Sequence, residues 1–160
     1  MQKLWKNKMD WDDRLDEELL DDWRYFLNAL PLAEDFRVPR RVISEEAARI
    51  EIHGFADASN TAYGACVYLR SVHSDGTASS SLVTSKSKVC SITPMSIPRK
   101  ELMAALLLHR LVKKVVDAME LEHVPVTLWS DSQVVIAWLK AVGLPASIRE
   151  ESCSRDYKRK

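Results

Sequence analysis

The spacing of apolar residues changes twice along this chain, and each change restricts what it can fold into. Ile50, Ile52 and Phe55 lie in a short β-rich run that ends at the turn-forming cluster Asp57-Ala58-Ser59-Asn60. A second strand is expected over Ala62–Arg70, through Tyr63, Cys66, Val67, Tyr68 and Leu69. Ser74-Asp75-Gly76-Thr77 predicts a hairpin turn, with a third strand over Ser81–Lys88. The period then becomes helical. Leu102, Met103, Leu106, Leu107, Leu111, Val115 and Met119 follow Pro98, which suits a first helical turn because its missing N–H would be unpaired there anyway. Val124–Trp129 reads as a short buried strand, and Ser130-Asp131-Ser132 as the N-cap of a helix through Val134, Val135, Trp138 and Leu139. The predicted order is β-β-β-α-β-α, an α/β fold in which an antiparallel meander is followed by a helical crossover.

Upstream, Trp11, Leu15, Leu19, Trp23, Phe26, Leu27 and Leu30 recur every three or four residues and predict an amphipathic helix. Asp10 is its expected N-cap, acidic first turns suit the positive end of the helix dipole, and Pro31 ends it. After Gly143 the pattern dissolves into a charged stretch with Arg149, Glu150, Glu151, Arg155, Asp156 and Lys158 to Lys160. The expected organisation is a helical connection over 1–49, a domain over 50–141 and a disordered tail over 142–160.

Composition narrows the function classes. With 160 residues and 46% hydrophobic content the chain can bury one ordinary core. No apolar run approaches the roughly 18 residues of a membrane span, and the first residues are not a signal peptide, so a soluble intracellular protein with no membrane partner is expected. Cys66, Cys90 and Cys153 form no CxxC pair, which points to reduced thiols rather than disulfides or structural zinc. Net charge is zero, unlike a stand-alone nucleic-acid binder. Lys86, Lys88, Arg99 and Lys100 nevertheless put basic charge within one short stretch, available to a phosphate backbone or simply to solvent.

Three acids stand where acids are costly. Asp57 ends the first strand, Glu101 lies in the first turn of the long helix, and Asp131 follows the short buried strand. Each alone has a structural explanation as turn former, helix N-terminal acid or N-cap. Together, on this element order, they can meet: a strand after the crossover lies beside the first, with the helix above both. Clustered carboxylates repel unless they bind protons or cations, and an all-oxygen ligand set selects hard ions such as Mg²⁺ or Mn²⁺. Two such ions can clamp a phosphodiester during in-line hydrolysis with no side-chain nucleophile.

The same residues carry a family resemblance. His53-Gly54-Phe55-Ala56-Asp57-Ala58-Ser59 with Ala62-Tyr63-Gly64-Ala65 resembles the first-strand motif of retroelement ribonuclease H domains. Ile97-Pro98-Arg99-Lys100-Glu101-Leu102-Met103-Ala104-Ala105 resembles their helix motif, and Trp129-Ser130-Asp131-Ser132-Gln133-Val134-Val135 the third acidic motif. With the acidic Trp11–Trp23 segment and Leu30-Pro31-Leu32, the wording is most similar to polyproteins of BEL/Pao-type retrotransposons over about residues 10–141. The resemblance implies a ribonuclease H-like mixed sheet and cleavage of RNA in RNA–DNA hybrids. It implies Mg²⁺ or Mn²⁺ held by Asp57, Glu101 and Asp131, with Ser59 and Arg99 near the nucleic acid. It also implies a reverse transcriptase polymerase domain as neighbour in the parent polyprotein.

The sequence departs from that pattern in two places. Residues 142–160 do not resemble the fifth strand and late helix with a fourth acid, so an incomplete, truncated C-terminus is expected, and Asp156 is not taken as the missing ligand. Ile97 and Pro98 stand where cellular-type enzymes carry asparagines that touch the minor groove and 2′-hydroxyls. The competing reading is therefore an inactive remnant that binds nucleic acid or serves as a scaffold through its acidic helix. Aspartic protease chemistry is disfavoured, since neither Asp131-Ser132-Gln133 nor Ser74-Asp75-Gly76 supplies the Asp-Thr/Ser-Gly loop. The four histidines have no metal-ligand spacing and read as core or surface residues.

Overall fold

The structure, a computed structural model, describes residue 4, residues 6–35, 37–91 and 93–141, and the backbone of 148–150. It forms two compact units, 1–38 and 39–160, each with its own architecture.

In the first unit, helix α1 (Glu17–Ala29) is capped by Asp16, whose Oδ1 accepts the Leu19 N–H at 2.8 Å, with Glu17 and Glu18 in its first turn. It starts later than the expected Asp10 cap. Asp10 instead closes a separate turn, in which its own N–H donates to Asp13 Oδ2 at 2.7 Å and its carboxylate accepts from Trp11 N. Pro31 ends the α-helix but not the helical turn, because a missing N–H is tolerated at the start of the 3₁₀ segment Leu30–Ala33. No residue of α1 is buried; Trp23 and Phe26 stack on one another at 5.5 Å.

The second unit begins with three long strands, β1 (Ala47–Ala58), β2 (Ala62–His73) and β3 (Ala78–Val89). Helix α2 (Ile97–Met119) follows, then β4 (Val126–Ser130), α3 (Gln133–Ala141) and a short β5 (Ile148–Glu150). The sheet order is β3-β2-β1-β4-β5, antiparallel across β3-β2-β1 and parallel across β1-β4-β5. The expected β-β-β-α-β-α order is present. The β2–β3 turn also forms as expected, with Gly76 at φ 84°, a conformation that side chains resist.

Two expectations are corrected here. The boundary at 49/50 would cut β1, which starts at Ala47, because the strand extends its antiparallel pairing as far as His73 of β2. The tail assigned to 142–160 contains β5, whose three residues pair with Leu128 to Ser130 of β4. Their sequence, Ile148-Arg149-Glu150, carries no alternation long enough to reveal a strand; edge pairing supplies it. The rest of that expected tail lies outside the described residues.

Alternate residues of β1 and β2 face α2 and build the core: Ile52, Ala56, Ala65, Val67 and Leu69 pack against Ala104, Leu107, Leu108, Leu111, Val112 and Val115. At Gly54 a Cβ would stand 2.6 Å from Leu108 Cδ1 and 3.2 Å from Leu128 Cδ2. The glycine is what allows the helix to sit this close to the strand. Among the described residues no helix is long and apolar enough to cross a membrane.

Candidate active site

The pairing of β1 with β4 decides where the first and third acids lie. Ala56 pairs with Ser130, so Asp57 and Asp131 are the next residues at the C-terminal ends of adjacent parallel strands. Neighbouring strands run roughly 4.8 Å apart, which brings the two backbones side by side. Both side chains are exposed. Asp57 Oδ1 accepts the N–H of Ala58 at 2.6 Å and so bends back over the turn.

Glu101 comes from α2 just after its first turn, a position later than expected, and is half-buried. One of its oxygens, Oε2, accepts a short hydrogen bond from the Ser132 hydroxyl. Ser132 is buried and also caps α3, since its Oγ accepts the Val135 N–H at 3.3 Å. Ser132 therefore ties Glu101 to the turn that carries Asp131. The sequence offered a cap within Ser130-Asp131-Ser132 with Asp131 as its acid, and the structure gives the role to Ser132; its second role, toward Glu101, depends on a contact thirty-one positions away in the chain.

The three predicted acids thus share one end of the sheet. They do not form a closed ligand set as they stand: among the described residues no group of three His, Cys, Asp or Glu side chains is close enough to hold a metal ion. By chemistry the donors suit a hard divalent cation, being carboxylates, two of them at the ends of neighbouring strands. Asp57 lines a groove with Phe55, Cys66 and Lys86 on the open face of the sheet, whereas Glu101 belongs to α2 on the other.

The expected substrate contacts divide. Ser59 Oγ is absorbed by its own turn: it accepts from Thr61 N and Ala62 N and donates to the Ala62 carbonyl at 3.0 Å. Its structural role is to shape the loop that follows Asp57. Arg99 is exposed on the first turn of α2. Of the basic stretch, Lys86 lines an open groove of about 380 Å³ together with Asp57, Gly64, Ser85 and Ser87. Lys100 is the exception to the solvated-cation reading. It is 8% exposed and donates from Nζ to the Asn60 carbonyl at 2.7 Å. Its signal was available in the sequence, because position 100 continues the stripe 104, 107, 108 and 111.

Farther down the open face of the sheet, His53 and Trp129 pack together. Trp129 stacks on Phe55 and His53 and donates from Nε1 to His53 Nδ1 at 3.1 Å. Indole N–H can only donate, so Nδ1 is the acceptor and the His53 proton sits on Nε2, facing Glu51 Oε2 at 3.3 Å. Hydrogen bonds from Arg70 and then His53, with the charge of Arg49, hold the Glu51 carboxyl below its ordinary value. Neither ring nitrogen of His53 is left for a metal.

A mixed sheet with a 3-2-1-4-5 order, a crossover helix and acids at the β1 and β4 ends defines a ribonuclease H-like α/β domain. The family comparison agrees: residues 1–132 match the model of the Pao retrotransposon-like RNaseH-like domain, and the chain belongs to that family. Similar solved structures include a foamy viral protease-reverse transcriptase (dRH) in complex with ds DNA, 16% identical, TM-score 0.44, covering 86% of this chain and 24% of that one. The Aquifex aeolicus PPX-GPPA enzyme is 13% identical with TM-score 0.34, covering 64% and 36%. The catalytic domain of human Endonuclease V is 18% identical with TM-score 0.31, covering 73% and 48%. The chain therefore spans less than half of each of these solved chains. No curated relative matches the chain significantly.

Proposed function

We propose that this domain, from a BEL/Pao-type retrotransposon polyprotein, hydrolyses the RNA strand of RNA–DNA hybrids with Mg²⁺ or Mn²⁺, beside a reverse transcriptase polymerase domain. The observation that carries the reading is the β1–β4 register, which sets Asp57 next to Asp131 at the strand ends, with Glu101 fixed above them through Ser132. Divalent ions, when bound, would activate water and stabilise the leaving 3′ oxygen.

The residues themselves do the holding. Asp57, Glu101 and Asp131 supply the hard anionic oxygens for the ions. Ser132 donates to Glu101 and keeps that carboxylate pointed toward the β4–α3 turn. Ser59 fixes the loop after Asp57 through its turn hydrogen bonds. Arg99 and Lys86 are exposed cations, Lys86 in the groove that Asp57 lines, able to steady phosphates of the hybrid.

One observation favours a second reading, an inert remnant that at most binds nucleic acid: the three carboxylates are not at chelating separation among the described residues. Incubating the chain with a labelled RNA–DNA hybrid and Mg²⁺ or Mn²⁺ separates the two. The nuclease reading expects endonucleolytic RNA cleavage that Asp57→Asn reduces below detection. No cleavage by the unaltered chain, or cleavage indifferent to Asp57→Asn, would leave the remnant reading standing.

A further inference from the structure

We propose that Lys100 is a positioning residue that sets Asp57 relative to Glu101, an inference that rests on the nuclease reading above. Lys100 and Glu101 are consecutive on α2, and consecutive helical residues point about 100° apart. The first reaches the loop that follows Asp57 and the end of β1, through the Asn60 carbonyl; the second reaches the turn that carries Asp131, through Ser132. Two adjacent side chains of one helix thus fasten to it the connections that follow β1 and β4.

Fold stability does not call for a lysine here. Position 100 heads the buried stripe Ala104, Leu107, Leu108 and Leu111, where an apolar side chain would pack without desolvating a charge. A buried ammonium is costly, and lysine is rarely buried this far without a partner. Its partner is a neutral backbone oxygen of an exposed loop residue, which water could serve equally well. What the bond accomplishes is geometric. Asn60 lies three residues beyond Asp57, in the connection that follows β1, and the Ser59 hydroxyl makes that connection rigid by bonding Thr61 and Ala62. A pull on Asn60 is therefore transmitted to the end of β1. Groups bonded directly to a metal ligand typically alter metal affinity by about 10- to 100-fold when removed, and Lys100, acting through the loop after Asp57, belongs at the lower end of that range.

The test compares the full chain with Lys100→Met, Lys100→Leu and Lys100→Arg. Mn²⁺ binding is measured by titration calorimetry, thermal unfolding without metal, and hydrogen exchange over residues 57–62. Lys100→Met and Lys100→Leu are expected to weaken Mn²⁺ binding about 10-fold or more. They should also speed exchange in the 57–62 loop and leave the unfolding midpoint unchanged or higher, while Lys100→Arg keeps most of the affinity. Unchanged Mn²⁺ affinity in both apolar variants overturns the inference and leaves the nuclease reading intact. A loss of affinity that only accompanies a lowered midpoint also overturns it, in favour of a packing role. If the unaltered chain shows no Mn²⁺ binding sensitive to Asp57→Asn, the nuclease reading falls and takes the inference with it.

Discussion

The two faces of the sheet assign opposite tasks to alternate residues of one strand. On β1, Ile52, Gly54 and Ala56 turn toward α2 and are buried, while Glu51, His53, Phe55 and Asp57 turn the other way. The helix-facing side is held by non-directional burial, so shape and apolarity are all it requires. The open side is held by pairings: Glu51 with Arg70 and His53, His53 with Trp129, Phe55 with Tyr68 and Trp129. A change on the first face should therefore cost the whole fold, and one on the second should stay local.

The sharpest way to break this comparison uses neighbouring positions. Ile52→Asp places an unpartnered carboxylate against α2 and should cost more than about 4 kcal/mol, abolishing cooperative urea unfolding. His53→Gln, one residue away, should lower stability by about 1 kcal/mol or less. Similar losses at the two positions would mean that the open face is as indispensable as the core.

A smaller effect is expected where helix and strand approach most closely. Gly54→Ala pushes a methyl group into Leu108 and Leu128 and should destabilise by about 1–3 kcal/mol, read from the urea midpoint at constant slope. A neutral result would show that α2 sits less tightly on β1 than the contact implies.

The smallest effect concerns pH on the open face. Glu51 titrates below its ordinary value of 4.5 in the folded chain, first because Arg70 donates to it. A depressed carboxylate contributes stability that is complete above the unfolded value and is lost as pH falls through the folded one. Arg70→Met should therefore lower stability at neutral pH by about 1 kcal/mol or less for so exposed a pair, and lower it by less at about pH 3. An equal loss at both pH values would assign Arg70 a packing role.

Much of this was readable from local pattern. The turn at Asp75-Gly76, the three strands and the long helix all follow from alternation, turn chemistry and helical spacing, which act over a few residues. The start of α1 was misplaced because Asp10 and Asp16 are equally good caps by type, and only the backbone shows which one receives the Leu19 N–H. Lys100 was grouped with Arg99 because neighbours in sequence share a charge, although on a helix they point in different directions. The extent of β1 and the existence of β5 depend on a partner strand, which a short segment cannot specify alone.

For the candidate site, the sequence determined the chemistry: hard carboxylate donors at a strand end, a helix start and a second strand end. The tertiary structure set Asp57 and Asp131 at the ends of neighbouring strands, because parallel pairing of Ala56 with Ser130 is a contact between distant segments. It also decided which neighbours hold them, Ser132 for Glu101 and the Asn60 loop for Lys100. Periodicity records which way a side chain faces, whereas the groups it meets across the sheet are fixed only when separate elements pack.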